Sequence, residues 1–186
     1  MKRVFDLTLA IILVVPLFMT MIIISIVIYL TSKGPVIYWS DRVGINHTIF
    51  KMPKFRSMKF DTPTVATHLM SNPGDFLSPI GGFLRRTSLD EIPQIISILK
   101  GDMSFVGPRP ALFNQADLIA LRSKKGLDKI PPGLTGWAQV NGRDELTIDG
   151  KVLLEVEYLE RKSFWFDLKI LWLTFLRVIG RKGISH

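Results

Sequence analysis

No charged residue interrupts the chain between Asp6 and Lys33. The apolar core of that run, Leu9 to Leu30, would measure ~33 Å as a straight helix, enough to cross a hydrocarbon layer of ~30 Å. The run is too long for the apolar part of a cleaved signal peptide, and no small-x-small cleavage site follows it. Pro16 stands inside the run, where its ring opposes the carbonyl of Ile12 and removes a donor, so a kink or break is expected there. Positive charge flanks both ends, with Lys2 and Arg3 before and Lys33 and Arg42 after, so charge asymmetry assigns no orientation to a span. Two readings stand side by side: a proline-kinked transmembrane anchor, and a helix that enters, bends at Pro16 and returns to the same face.

After the run the pattern shortens. Val36 to Trp39 and His47 to Phe55 read as strands joined through a turn at Gly44-Ile45-Asn46, with Pro53 demoting the end of the second to an edge. Asp61 to Gly82 is rich in turn formers and reads as loop. A helix is expected from about Asp90 to Lys100, stopped by Gly101, and another from Leu112 to about Lys124. Pro131 to Arg143 reads as a loop punctuated by glycine and proline. On a helical projection of Phe164 to Ile179, Asp167, Lys169, Thr174 and Arg177 share an arc of about 160°. Leu168, Leu171, Trp172, Phe175, Val178 and Ile179 lie opposite, with Ile170 and Leu173 as exceptions. A broad apolar face with aromatic residues suits a helix lying in the membrane interface, or one packed on the domain's own core.

Composition narrows the chemistry. Lys and Arg number 24 against 16 Asp and Glu, a formal charge of +8 that favours an anionic partner such as nucleic acid, anionic lipid or a phosphorylated substrate. There is no cysteine, which excludes disulfides, thiolate catalysis and Cys-type zinc sites. His47, His68 and His186 show no metal-ligand spacing and read as surface or loop residues.

Three segments carry candidate chemistry. Ser88-Leu89-Asp90-Glu91 opens a helix-like run and reads as a capping box, with acids placed to suit the helix dipole. The same Asp90-Glu91 pair can also hold a divalent cation and offer a nucleophile, since a carboxylate can attack phosphorus to give an acyl phosphate. Lys51, Lys54, Arg56, Lys59, Arg85 and Arg86 precede the pair, and Arg109 follows between two prolines. Arginine matches phosphate bidentately, so the cluster points to a phosphate-rich ligand. Pro131 to Arg143 combines glycines for close backbone approach with Gln139, Asn141 and Arg143, a set suited to a base, ribose or pyrophosphate. It is neither a P-loop nor a Rossmann fingerprint.

Taken in order, Lys54-Phe55-Arg56-Ser57-Met58, Leu84 through Gln94, Leu99 through Pro110 and Pro132 through Arg143 resemble the bacterial sugar transferases known as monotopic phosphoglycosyl transferases, in their small form. The similarity covers nearly the whole chain. It implies an α+β fold: a re-entrant membrane helix broken at Pro16 (residues 1–33), then a compact, mostly helical cytosolic head (34–186) with a small β-hairpin and interfacial amphipathic helices. It implies that Asp90 is the nucleophile, attacking the β-phosphate of a UDP-sugar, expelling UMP and leaving a phosphosugar-aspartyl intermediate that undecaprenyl phosphate then takes up. Mg²⁺ is expected at Asp90, with Glu91 as partner carboxylate, Arg85 and Arg109 on phosphate, and Gln139 and Arg143 on the nucleotide. Lys2 or Arg3 is expected to pair with an acid such as Asp167, and the protein to sit on the cytosolic face of the inner membrane. Nucleic acid is not an expected partner.

The chain departs from the pattern at Val15, where many relatives have Ser before the bend proline, and at Pro53. It is expected to lack the additional N-terminal membrane helices of larger relatives. A non-catalytic basic membrane scaffold would explain the composition but not an acidic pair among ordered arginines. A nucleic-acid binder would interleave aromatic and basic residues on one platform. Adjacent acids cannot easily flank a sugar from opposite sides, which disfavours a two-carboxylate glycosidase.

Overall fold

The computed structural model describes residues 1–60, 62, 73–142 and 146–180, the Ile179 side chain excepted. The apolar run forms α1, Lys2–Thr31, and the helix continues through Pro16. It is long and apolar enough to cross a membrane, and only 11% of its most apolar window is buried. An antiparallel hairpin follows, β1 (Ile37–Val43) and β2 (Ile49–Phe55), joined by a 3-10 turn at Ile45–His47. Pro53 does not end β2. It pairs with Trp39, which a two-stranded ribbon allows because every strand has a free edge for the missing donor. Two short helices come next, α2 (Gly81–Arg86) and, after a 3-10 segment at Leu89–Gln94, α3 (Ile95–Lys100). Gly101, with φ +100, stops α3 in the left-handed conformation that a Cβ would disfavour.

β3 (Ser104–Val106) then pairs in parallel with β4 (Gly133–Thr135), with α4 (Ala116–Lys124) between them in sequence. These three-residue strands are too short to leave a periodic signal. α5 (Ile148–Arg161) is also absent from the sequence expectation, although Thr147 caps it by accepting from Gly150 N. Its buried face includes Glu155, paired to Arg122 of α4, so polarity along α5 does not mark which side is inward. α6 (Phe164–Gly180) agrees with the expected C-terminal helix.

α1 lies against the head along its length. Near its start, Ala10 is fully buried in a cluster with Met52, Ile98, Phe105, Phe166 and Ile170; near its end, Ile24 and Ile28 pack on Phe55 and Leu84. Its polar groups turn inward. Asp6 is 3% exposed; its carboxylate accepts from Ser104 Oγ at 2.8 Å and Phe105 N at 3.2 Å. Lys2 donates to Asp167 at 2.5 Å, the pairing anticipated from the sequence, and Tyr158 donates to the other Asp167 oxygen. Arg3 donates to the carbonyls of Ile98 and Leu99, the last turn of α3. At the far end, the buried Arg56 donates to Ser32 O, placing a cation at the negative end of the α1 dipole.

The outward face is apolar: Ile11, Ile12, Val15, Phe18, Met19 and Ile23 are all exposed. α6 repeats this inversion. Phe166, Asp167 and Ile170 are buried, and Thr174 bonds Thr135 of β4, while Trp165, Trp172, Phe175 and Leu176 are exposed. One face of α6 thus packs on the core and the opposite face is exposed and apolar; Ile170, an exception on the helical projection, is a residue that enters the core.

The Asp6 carboxylate joins α1 to β3, and its loss leaves two buried donors unmet. Asp6→Ala is expected to destabilise the micelle-embedded protein by about 3 kcal/mol, with Asp6→Asn less affected. Thermal unfolding followed by tryptophan fluorescence measures this, and an unchanged midpoint for Asp6→Ala would show that the contact holds nothing in place.

Candidate active site

Asp90 and Glu91 lie in the 3-10 segment Leu89–Gln94, packed on β2. The capping box expected at Ser88 does not form. Ser88 adopts φ +56 in the left-handed region and its side chain makes no cap hydrogen bond. A non-glycine residue in that conformation is strained by roughly 1–3 kcal/mol, which the surrounding packing must hold. The backbone reversal turns Asp90 inward, and Asp90 is 7% exposed.

Glu91 is taken up by cations from two directions. Its Oε1 accepts from Lys54 Nζ of β2 at 2.9 Å and from Arg109 Nη2 at 2.9 Å. Lys54 stands in the sequence among several basic residues and heads the first segment of the family resemblance, with no role of its own; the β2 register aims it here. No described residue donates a hydrogen bond to the Asp90 carboxylate. Burial is the main cause that pushes the Asp90 carboxyl above its ordinary range, and the Glu91 charge adds to this; Lys54, Arg85 and Arg109 pull it back. Burial likewise holds the Lys54 ammonium below its usual value, against the attraction of Glu91.

Arg42 is a further member of the cluster. Sequence reading placed it only among charges flanking the apolar run. In the fold it bonds Ser40 Oγ and Pro110 O, and its burial, with Arg109 nearby, lowers its pKa to about 10.

Arg109 is positioned by backbone. Gly107 N donates to Thr135 O at 2.9 Å and Gly133 N to Pro108 O at 2.8 Å, extending the β3–β4 pairing on both sides of Pro108. The two glycine backbones approach so closely that a Cβ on Gly133 would lie 2.1 Å from Gly107 N. The glycines at 133 and 136 thus serve close approach of backbone to backbone, not to a ligand as their pattern had implied. Asn141 is also used locally, donating to Trp137 O. Gln139 differs: both side-chain polar atoms are buried with no partner among the described residues. Arg143, His68 and His186 lie outside the described residues. His47 is exposed and bonds Ser123.

Beside this cluster is a cavity of about 340 Å³. Glu91, Arg109 and Gln139 line it together with apolar side chains from α1 and α6, among them Leu13, Leu17 and Phe175. The structure therefore brings Asp90, Glu91 and Arg109 together, places Arg85 within electrostatic reach of Asp90, and puts Gln139 on the cavity wall. A cation cluster beside a buried carboxylate and an apolar chamber suits a substrate that is anionic at one end and apolar at the other.

The sequence matches the family model described as bacterial sugar transferase over residues 1–181. It is 36% identical to the uncharacterized sugar transferase EpsL of Bacillus subtilis, covering 100% of this chain and 91% of that protein. It is 30% identical to the exopolysaccharide production protein ExoY of Sinorhizobium fredii, covering 98% of this chain and 87% of the relative. The UDP-glucose:undecaprenyl-phosphate glucose-1-phosphate transferase of Escherichia coli is 38% identical over 98% of this chain, which spans only 41% of that protein's length. With a family match and two relatives of similar length aligned nearly end to end, the chain belongs to the bacterial sugar transferase family.

Proposed function

We propose that the protein transfers a sugar-1-phosphate from a UDP-sugar to undecaprenyl phosphate, with Asp90 as the nucleophile. The observation that carries this reading is the buried Asp90 carboxylate next to a Glu91 held by Lys54 and Arg109, with Glu91 and Arg109 lining a largely apolar cavity. The name of the Escherichia coli relative supports the same donor and acceptor classes.

An Asp90 oxygen attacks the β-phosphorus of the donor. The bond to the bridging oxygen breaks, UMP leaves with the electron pair, and the sugar phosphate remains on the carboxylate as an acyl phosphate. An oxygen of the lipid phosphate then attacks the same phosphorus, and Asp90 departs as carboxylate. Arg85 and Arg109 hold phosphoryl oxygens through these steps. Glu91 orients Lys54 and Arg109; its Oε1 already accepts from both, so this oxygen is engaged as a positioning group.

Mg²⁺ is proposed at Asp90. The fit is that of an ion held by one carboxylate, waters and the donor's phosphates, because Glu91 is paired with cations and no cluster of three or more metal-ligating side chains occurs among the described residues. When bound, it supplies positive charge to the phosphoryl oxygens.

Re-entry of α1 is part of the proposal. Lys2 and Arg3 at one end and Ser32 at the other all bond the same head, which favours both ends on one membrane face. A bend at Pro16 within the continuous α1, and the cytosolic face, belong to the same reading, with residues 1–33 as anchor and 34–186 as catalytic head.

Three outcomes test it. With Mg²⁺ and undecaprenyl phosphate, a panel of UDP-sugars led by UDP-glucose should give UMP release that Asp90→Asn abolishes; normal release by that variant would exclude the nucleophile. Asp90 also has a raised folded pKa, so its native form binds more protons than its unfolded form as pH rises past the ordinary carboxylate range, and stability is lost there. Without Mg²⁺ at neutral pH, Asp90→Asn should therefore melt higher than the parent, and a lower melting point would contradict the burial argument. Finally, cysteines at Val4 and Lys33 should both react with an impermeant maleimide from the cytosolic side only. Labelling of the two from opposite sides would establish a span.

A further inference from the structure

The cavity between α1, α6 and the Gln139 segment holds two polar groups that no described residue matches. One is the Gln139 carboxamide, buried at both its oxygen and its nitrogen. The other is the Arg177 guanidinium near the end of α6, which lines the same cavity and makes no hydrogen bond or ion pair among the described residues. The hydroxyls of Thr135 and Thr174 on the same wall are satisfied by each other, 2.7 Å apart. Buried amides left without partners are rare in folded proteins and call for a ligand or water to complete them. Ser88, Glu91 and Arg109 line the cavity beside the Asp90 segment, and the remaining wall is apolar, with Leu13, Leu17, Leu171 and Val178 among its side chains. These side chains come from the two helices whose outer faces expose Ile12, Val15, Trp172 and Phe175.

We infer that Gln139 and Arg177 bind the phosphate of the polyprenyl acceptor, so that α6 selects the lipid substrate and Gln139 serves the acceptor, not the nucleotide. This rests on the transfer reading above. A phosphate monoester offers several acceptor oxygens: the amide N–H can donate to one and the guanidinium to two in parallel. The isoprenoid chain then runs along leucine and valine side chains toward the lipid-facing surfaces of α1 and α6. An inorganic phosphate would engage the same donors but leave the apolar wall unfilled, and a neutral polyprenol would fill the wall but leave the donors unmatched.

The test uses the full chain in micelles with Arg177→Gln, Gln139→Leu and Arg177→Lys. Each of the first two should raise the KM for undecaprenyl phosphate tenfold or more while the KM for the UDP-sugar moves less than twofold. Arg177→Lys should recover part of the loss, because it keeps the charge without the fork. Independently of turnover, farnesyl phosphate should raise the thermal midpoint of the parent protein, and both variants should lose that shift; inorganic phosphate and farnesol should give none. A donor KM that rises as much as the acceptor KM, or a farnesyl phosphate shift that survives both substitutions, overturns the assignment. So does a defect explained wholly by weaker association with anionic vesicles, which would make Arg177 a contact to bulk lipid headgroups. If the parent binds farnesyl phosphate through these residues but releases no UMP, the transfer reading fails and the lipid site stands.

Discussion

The carboxylate of Asp6, buried beneath β3, is the contact on which the arrangement turns. It takes the hydroxyl of Ser104 and the backbone N–H of Phe105, both at the start of the strand whose continuation carries Gly107, Pro108 and Arg109. Arg109 in turn holds Glu91, the neighbour of the buried Asp90. Only a short chain of covalent and hydrogen bonds separates the apolar helix from the Asp90 carboxylate. Lys2 and Arg3 extend the same fastening to α6 and α3. Polar groups of α1 that would be costly in hydrocarbon are thereby spent on fixing its orientation to the head.

Electrostatics at the site follow from this packing. Gathering Arg42, Lys54 and Arg109 in one partly buried place is unfavourable by itself, and loss of hydration holds both Arg42 and Lys54 below their ordinary values. Glu91 offsets part of that repulsion, and a phosphate-bearing substrate would offset more. The cluster is thus suited to an anionic ligand, as the proposed phosphate-binding role requires.

Some of this was legible in the sequence for physical reasons. A run without charge between Asp6 and Lys33 has few structural outcomes, and hairpin strands with a Gly-containing turn leave a local signal. The pairing of Lys2 with Asp167 came from the family resemblance, whereas Asp90, Glu91 and Arg109 stood out as an acidic pair among arginines and took only their proposed roles from it. Other features depended on contacts distant in sequence. β3 and β4 are three residues each and exist because Gly107 and Gly133 permit their backbones to meet. α5 escaped notice because its buried Glu155 is made tolerable only by Arg122, while Leu153 on the same helix is exposed. Ser88 looked like a cap because its spacing to Glu91 fits one. The left-handed backbone there reflects tertiary packing, which overrides the local preference.

The outward apolar faces of α1 and α6 bear on how reactant concentration should be counted. On the proposed reading these faces meet lipid, and a chamber walled by the same two helices would draw its apolar ligand from the plane of the bilayer, while a nucleotide-bearing donor would arrive from water. The two reactants then have different measures: one is set by molecules per unit volume, the other by molecules per unit area of membrane. Diluting a vesicle suspension would thin out the first and leave the surface density of the second unchanged. For an enzyme built this way, the composition of the membrane sets the working point as directly as the composition of the cytosol.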